Sequence, residues 1–471
     1  MRLSGNEKLA EKVALSEPFL EDNSNAGMSP SVKPEALELQ SSVVLEDTPL
    51  SHSMSFSRKV LPHILHFLFS TYVGFNCTDF QKAKDTAFSY SASEVVFHFG
   101  NSTFLLGIAI DALVAAAAFE CMGFRRSSFV SALCLIVFNL LQFFFHRFVV
   151  FAVIFQLLSG IFSGQLLFNC AASTFELHAT ELSIGGTVFW LGGFVAGFGG
   201  GSLFGSAIGG NSRPLNWIYL LKLVWMLLVA VLLPMSYETS SSFTRFSVAS
   251  SANINKLIQR ARHNLTQAKF FFTNCRDFEI LTIGYVLFFP LLCLMQIGIQ
   301  TAMLRLYNKS RISPMAACCF LAIGALFAWA LFLLDSVQGR MFHNRLGSLR
   351  NHLLPIGTTI YFFSMLWYGF TNTNLAITSI PPVPSMFVGL GVIFIWSDKL
   401  QYLNENYGSA CYSAFGFLQA FQFFVGFLIT FIAPVAVDLI GCPVIGMVSW
   451  LLSIPVGVSS LALQRFRYLG A

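Results

Sequence analysis

Residues 411–434, CYSAFGFLQAFQFFVGFLITFIAP, form an apolar run without a single charged side chain. The hydrocarbon core of a bilayer is about 30 Å thick, which an α-helix crosses with roughly 20 residues. Lipid offers no hydrogen-bond partner to the backbone, so an isolated apolar segment must satisfy its own peptide groups as a helix. We therefore predict a transmembrane helix over 409–434.

The same pattern recurs along the chain. Hydrophobic residues make up 55% of the 471 positions and charged residues 11%, whereas soluble domains carry about 25% charged residues. Further runs of spanning length predict helices at 60–79, 103–122, 127–146, 148–170, 183–208, 216–236, 279–304, 314–334, 353–371, 382–400 and 443–463. The sequence thus predicts an all-α polytopic membrane protein with twelve transmembrane helices.

These helices form two groups of six around a polar segment. The predicted units are a tail, a first half, a central loop, a second half and a short C-terminus, at 1–59, 60–236, 237–278, 279–463 and 464–471. The tail is polar and lacks an apolar core, which predicts a disordered segment rather than a secretory signal. The central loop is basic, and Lys and Arg concentrate on the cytosolic side, so we expect both termini in the cytosol.

This topology makes the chain a multi-pass integral membrane protein. We expect it in the plasma membrane, with the vacuolar or another internal membrane as the alternative. Asn-x-Ser/Thr triplets at Asn76, Asn101 and Asn308 fall in predicted outer loops and are candidate glycosylation acceptors. Cys77 and Cys442 lie near the same face, which leaves a disulfide between them open.

Two six-helix halves around a basic cytosolic loop resemble the major facilitator superfamily. Gln401–Gly408, QYLNENYG, is similar to the N-Y-L-V-D-A-Y-G after the tenth helix of the fungal twelve-spanner drug:proton antiporters, which export drugs and polyamines. Leu366–Thr371 and Leu233–Tyr237 are similar to that family's L-F-W-F-G-W-T and L-P-E-T-Y. From about Phe99 onwards the chain is identified as a divergent member of this family, which implies the major facilitator fold.

Two family motifs are kept in part. The fifth-helix antiporter motif G-P-x-x-G-P-x-x-G-G has serine in place of both prolines and comprises Gly201, Ser202, Gly205, Ser206, Gly209 and Gly210. The D/E-x-x-G-R-R of the loop between the second and third helices corresponds to Glu120, Gly123, Arg125 and Arg126, with Phe124 inserted between the glycine and the arginines. Glycine lets helices approach closely, so the resemblance implies that packing role for the fifth helix.

Neutral glutamines stand where the family has two arginines. Gln156 takes this place in the fourth helix and Gln422 in the eleventh. An uncharged carboxamide cannot replace a guanidinium group. A facilitator that is not coupled to protons therefore remains an alternative to an antiporter.

Asp111 is the candidate proton or cation site, because it lies in the middle of the second predicted helix. An ionisable group within the membrane is costly and marks a functional hypothesis. We hypothesise that Asp111 binds protons or a cation in the central cavity; the alternative is a structural polar residue paired with a neighbouring helix. Lys222, near one end of the sixth helix, is expected to extend its ammonium group to the lipid headgroups.

A central cavity between the halves is where this fold binds substrate. Polar and aromatic residues within the predicted helices are candidates for its lining, with helix packing as the alternative role for the aromatic ones. These candidates are Gln156, Asn169, Gln296, Gln300, Gln419, Gln422, Trp367 and Tyr368.

The sequence thus favours a secondary transporter that works by alternating access. The family resemblance implies proton-coupled export of small organic or cationic compounds such as drugs or polyamines. The alternatives are an uncoupled facilitator and a transport-inactive sensor or scaffold that acts through its tail. Motifs of nucleotide-driven pumps and common hydrolases are missing, so we expect no enzyme, cofactor or metal. The expected partners are membrane lipids, a small-molecule substrate and protons, without nucleic acid, and the expected state is a monomer.

Overall fold

The computed structural model describes residues 56–78, 94–145, 148–176, 182–209, 216–237, 254–306, 320–331, 346–373 and 382–470. Every element in these ranges is helical, as predicted. Six of the described helices are long and apolar enough to cross a membrane, and two shorter apolar helices span Trp217–Leu233 and Phe320–Leu331. Of the predicted tail at 1–59, residues 1–55 lie outside the described ranges.

Five helices are described in the first half. They are α1 (Phe56–Asn76), α2 (Glu94–Phe145), α3 (Val149–Glu176), α4 (Leu182–Gly209) and α5 (Asn216–Tyr237). The second and third predicted helices are joined in α2, whose backbone leaves the helical conformation at Gly123 with φ 73° and ψ 166°. Glycine adopts such a positive φ at little cost. The helix begins at Glu94, well before the predicted start at 103.

The second half follows a helix within the predicted central loop. That helix is α6 (Ile254–Asn274). The elements of the second half are α7 (Arg276–Val286), α8 (Phe288–Leu306), α9 (Phe320–Leu331), α10 (Leu346–Thr373), α11 (Pro382–Tyr407), α12 (Cys411–Ile440) and α13 (Cys442–Gly470). Helix α6 was not predicted, because it contains too few apolar residues to span lipid. Helices α7 and α8 together occupy the predicted seventh span, and α11 extends past the predicted end at 400.

Glycines bring α1 and α4 into backbone contact. Gly193, Gly197 and Gly201 are spaced four residues apart on the face of α4 that packs against α1. A Cβ atom on Gly197 would overlap the carbonyl oxygen of Thr71, and one on Gly74 of α1 would overlap a carbonyl oxygen of α4. The two helices therefore fit only because these side chains are missing.

The predicted fifth-helix motif overlaps this interface at its first residue. Gly201 faces Phe75 of α1 and Thr78 in the turn that follows it. The backbone of Ser202, Gly205, Ser206 and Gly209 continues α4, whereas Gly210 lies outside the described residues. The close contact between α1 and α4 thus starts two helical turns before the motif. The glycine spacing G-x-x-x-G-x-x-x-G at 193–201 is the sequence pattern that could have predicted this contact.

Helix α6 lies across the ends of α2 and α12. The Arg260 guanidinium group forms an ion pair with the carboxylate of Glu120, which lies just before the break in α2 at Gly123. The Asn264 side chain donates to the same carboxylate at 3.4 Å, and the Ser413 hydroxyl of α12 donates to the Gln267 oxygen at 3.0 Å. The segment predicted as a loop therefore connects the two halves.

We expect Gly197→Ala to lower the thermal denaturation midpoint of the purified protein, because the added methyl group overlaps the Thr71 carbonyl. Overpacking of this kind costs about 1–3 kcal/mol. Gly200→Ala on the same helix is the matched control, since nothing lies within 4 Å of its Cβ position. Its midpoint should stay constant or rise, because alanine favours helix over glycine. Equal effects of the two changes would contradict the interface.

Candidate functional site

One part of the seam between the halves is formed by α2 and α12. The Phe119 and Tyr412 rings lie 5.3 Å apart at one end of this pair, and the Phe99 and Phe431 rings lie 6.0 Å apart at the other. Between these ends, a Cβ atom on Gly416 would lie 2.8 Å from the Ala112 carbonyl oxygen. The part of α2 that precedes Gly123 thus follows α12 from Phe99 to Phe119.

A second group of contacts, here called the aromatic cluster, joins α4 to the second half. Its members are the buried rings Trp190, Phe194, Phe198, Tyr285, Phe288, Phe289, Trp396 and Phe423. The Trp190 and Trp396 rings are 6.0 Å apart, and the Phe289 and Phe423 rings are 4.8 Å apart. The Trp396 indole nitrogen donates to the Tyr285 hydroxyl at 2.6 Å. Sequence reasoning missed this cluster because phenylalanine occurs throughout the apolar segments.

Gln419 and Gln422 of α12 lie on the helix face that closes this seam. The residues Phe415, Gln419, Gln422 and Gly426 are spaced to share one face of the helix. At one end, Phe415 contacts the Phe168 ring of α3 at 5.5 Å. At the other end, a Cβ atom on Gly426 would lie 3.1 Å from Phe289 and 3.7 Å from a side chain of α2. Both halves therefore enclose the two carboxamides.

These two carboxamides are buried and unpaired. Gln419 is 1% exposed and Gln422 is 0% exposed. Within the described part of the chain, neither the oxygen nor the nitrogen of either side chain has a hydrogen-bond partner. A buried polar group without a partner costs about 1–3 kcal/mol, so four such atoms in one place indicate a site that a polar molecule or water completes.

The other predicted cavity residues of the second half are placed differently. Gln296 of α8 crosses the seam, where its amide donates to the Phe198 carbonyl oxygen at 3.2 Å. The buried Tyr368 hydroxyl donates to the Met295 carbonyl at 3.2 Å and joins α10 to α8. Trp367 is 40% exposed on the outside of the helices. The side chain of Gln300 lies outside the described residues.

Gln156 and Asn169 belong to hydrogen-bond networks inside the first half. The Gln156 oxygen accepts from Gln142 at 3.1 Å, and its nitrogen donates to the Asn76 carbonyl at 3.5 Å. Asn169 donates to the Ser127 and Ser128 hydroxyls at 2.9 and 2.8 Å. These amides stabilise the packing of α1, α2 and α3. Among the described candidate glutamines and asparagines, only Gln419 and Gln422 of α12 have no hydrogen-bond partner for either polar atom.

The side chain of Asp111, a residue of α2, lies against α3. Its Oδ2 atom is buried and has no hydrogen-bond partner among the described residues. A Cβ atom on Gly164 of α3 would lie 2.8 Å from this oxygen. The carboxyl group thus contacts the backbone of a neighbouring helix within the first half.

Two lysines are buried in the helices. Lys222 is 1% exposed, with its ammonium nitrogen 5.2 Å from the centre of the Tyr219 ring, rather than extended to the headgroups. Lys399 is 2% exposed and donates to the Ser459 hydroxyl of α13 at 3.3 Å. Lys399 would lie at the end of the helix predicted for 382–400, whereas α11 continues to Tyr407.

The remaining candidates lie at the ends of the helices. Arg125 and Arg126 are exposed beside Gly123, and Glu120 pairs with α6 rather than with either of them. Asn76 is 1% exposed and its amide donates to the Tyr72 carbonyl, which argues against a glycan there. The Asn101 side chain and Asn308 lie outside the described residues. Cys77 and Cys442 are both buried, and no disulfide joins them.

Comparisons with known proteins support the fold alone. No family model and no curated protein sequence matches the chain. A structure of the proton:xylose symporter XylE bound to 6-bromo-6-deoxy-D-glucose has a TM-score of 0.61 and 15% identity, over 88% of this chain and 96% of that chain. A partially occluded inward-open structure of the xylose transporter XylE from E. coli has a TM-score of 0.56 and 14% identity, over 84% and 97%.

A third solved structure, of a D-xylose-proton symporter, has a TM-score of 0.57 and 13% identity, over 86% of this chain and 96% of that chain. The resemblance to the drug:proton antiporters is not confirmed by these comparisons and stays a prediction. Helical architecture, apolar spans and near-complete coverage of these transporters agree with one another. The chain is therefore a multi-pass membrane protein with the major facilitator fold.

Proposed function

We propose that this chain is a secondary transporter that carries a small organic molecule across the membrane by alternating access. The observation that carries the proposal is the pair of unpaired carboxamides, Gln419 and Gln422, enclosed between the halves. Substrate sites of such transporters lie near mid-membrane between the two repeats. The transporters of similar structure named above also move a small molecule.

The chemistry of the seam limits what the substrate can be. Each carboxamide offers two hydrogen-bond donors and an acceptor. The neighbouring rings of Phe289 and Phe423 provide apolar surface and, through their faces, weak attraction for a cation. An amphiphilic organic compound, neutral or singly positive, matches this combination. Export of drugs or polyamines, which the family resemblance implies, falls within this class.

Asp111 is the residue that we assign to proton coupling. Its carboxyl group contacts α3 at Gly164, and the helix that carries it also forms the seam with α12. A charge at this place in the membrane is costly. Gain or loss of a proton would therefore change how α2 packs on α3, and thereby how it packs on α12. Because Asp111 lies within the first half, coupling would act through helix packing rather than through contact with substrate.

An uncoupled facilitator is the second candidate. Gln156, in the place of a family arginine, is occupied by hydrogen bonds inside the first half, and Gln422 is neutral. Uptake of labelled drugs and polyamines into proteoliposomes, with and without an imposed pH gradient, separates the candidates. Transport that persists at full rate after the gradient is collapsed favours the facilitator, and failure of the whole panel contradicts the proposed substrate class.

We expect Asp111→Asn to reduce gradient-driven transport to the level seen without a gradient, because the amide cannot take up a proton. Exchange of labelled for unlabelled substrate, with no gradient, should continue. Glu279→Gln is the matched control, since Glu279 is exposed at the start of α7. Gradient-driven transport by Asp111→Asn equal to that of the wild type would exclude this residue as the proton site.

We expect Gln422→Leu to raise the thermal midpoint while it weakens apparent substrate affinity. The change removes two unpaired buried atoms, whereas substrate loses a hydrogen bond of about 0.5–1.5 kcal/mol, or roughly two- to tenfold in affinity. Gln156→Leu is the control, because it breaks bonds to Gln142 and Asn76 and should lower the midpoint. A fall in stability for Gln422→Leu with unchanged affinity would show that Gln422 is only structural.

A further inference from the structure

Helix α6 presents two different faces. One face docks on the protein through Arg260, Asn264 and Gln267, as described above. Phe271 continues that face and packs its ring 5.1 Å from the ring of Tyr407 at the end of α11. These positions are spaced by three or four residues, so they form one side of the helix.

The other side of α6, here called the outward face, combines apolar and basic residues. It consists of Ile258, Arg262, Leu265, Lys269 and Phe272, again spaced by three or four residues. Ile258, Leu265 and Phe272 are 60%, 46% and 41% exposed. Three large apolar side chains would therefore face water if nothing covered them.

The outward face joins the surface that the spanning helices turn to the lipid. The Phe272 ring is 5.9 Å from the ring of Phe417 on α12, which in turn lies 4.6 Å from Phe421. Phe421 is the first of a row of exposed apolar residues along α12, which continues with Phe424, Leu428, Ile432, Val435 and Leu439. Because this row must contact lipid tails in a membrane, the outward face lies at the membrane boundary.

The positive charge of α6 favours anionic lipids. The helix contains Lys256, Arg260, Arg262 and Lys269 and no acidic residue. Arg262 and Lys269 are exposed between the apolar side chains of the outward face. A helix with this pattern lies in the interface and is held by its apolar face and by attraction to anionic headgroups. The cytosolic leaflet, on which the positive-inside rule places α6, carries those headgroups.

We propose that the outward face of α6 binds anionic phospholipids, with Arg262 and Lys269 on the phosphate groups and Ile258, Leu265 and Phe272 among the upper acyl chains. An acidic soluble protein would match the charges. It would not account for an apolar row that is continuous with the lipid-facing surface of α12. This inference concerns lipid binding and does not depend on the proposed transport.

The test is binding of a fluorescent phosphatidylglycerol to the purified full-length protein in neutral detergent. A basic residue near an anionic membrane surface contributes about 1 kcal/mol, so Arg262→Gln and Lys269→Gln should each weaken binding about fivefold. Lys256→Gln is the matched control, because Lys256 is exposed on a different side of the same helix. It should change binding less than twofold. Thermal midpoints of all variants check that folding is preserved.

Competition and an apolar variant complete the test. Unlabelled phosphatidylserine should displace the probe, whereas phosphatidylcholine and inorganic phosphate should not. Leu265→Ser should also weaken binding, because the acyl chains lose an apolar contact. Equal losses of affinity for Arg262→Gln, Lys269→Gln and Lys256→Gln would overturn the proposal. Displacement of the probe by inorganic phosphate, or probe binding that Leu265→Ser leaves unchanged, would overturn it as well.

Discussion

The interior of a membrane offers no water to an unpaired polar group, and most features of this structure follow from that constraint. It forces the backbone of each segment that crosses the membrane into a helix. It also explains why the amides of the first half are bonded to one another, to serine hydroxyls or to carbonyl oxygens, as Gln156 and Asn169 are. In such surroundings, Gln419 and Gln422 stand out because the described protein leaves all their polar atoms unpaired.

The two kinds of helix contact have different physical bases. Within the first half, α1 and α4 touch backbone to backbone through glycines, and directional hydrogen bonds connect α1, α2 and α3. Between the halves beside α4, rings meet instead, as Phe194 does with Phe289 and with Trp396. Glycine contacts and hydrogen bonds fix a geometry, whereas ring contacts tolerate small displacements. This contrast suits a molecule in which each half keeps its shape and the halves move relative to each other.

Hydropathy and length were sufficient to predict the fold class, since each apolar run must become a helix. They were insufficient at the helix ends: α2 starts at Glu94, and α11 continues to Tyr407, where the Tyr402 and Tyr407 hydroxyls donate to the Asp277 carboxylate of α7. Helix α6 was missed because it is amphipathic and too polar for a spanning segment. Of the candidate site, Gln419 and Gln422 could be selected as polar residues in apolar helices. Their difference from Gln156 is a matter of hydrogen-bond partners, which a sequence does not contain.

The composition of the seam also bears on how fast the molecule could change its conformation. Among the described residues, Gln296 makes a directional bond across the seam, from its amide to the Phe198 carbonyl oxygen. That carbonyl already belongs to a helix, so the bond can break without leaving the acceptor unsatisfied. A net hydrogen bond of this kind is worth about 1 kcal/mol. Separation of the halves beside α4 would then be resisted chiefly by ring contacts, and the loss of this hydrogen bond would add little to the kinetic barrier.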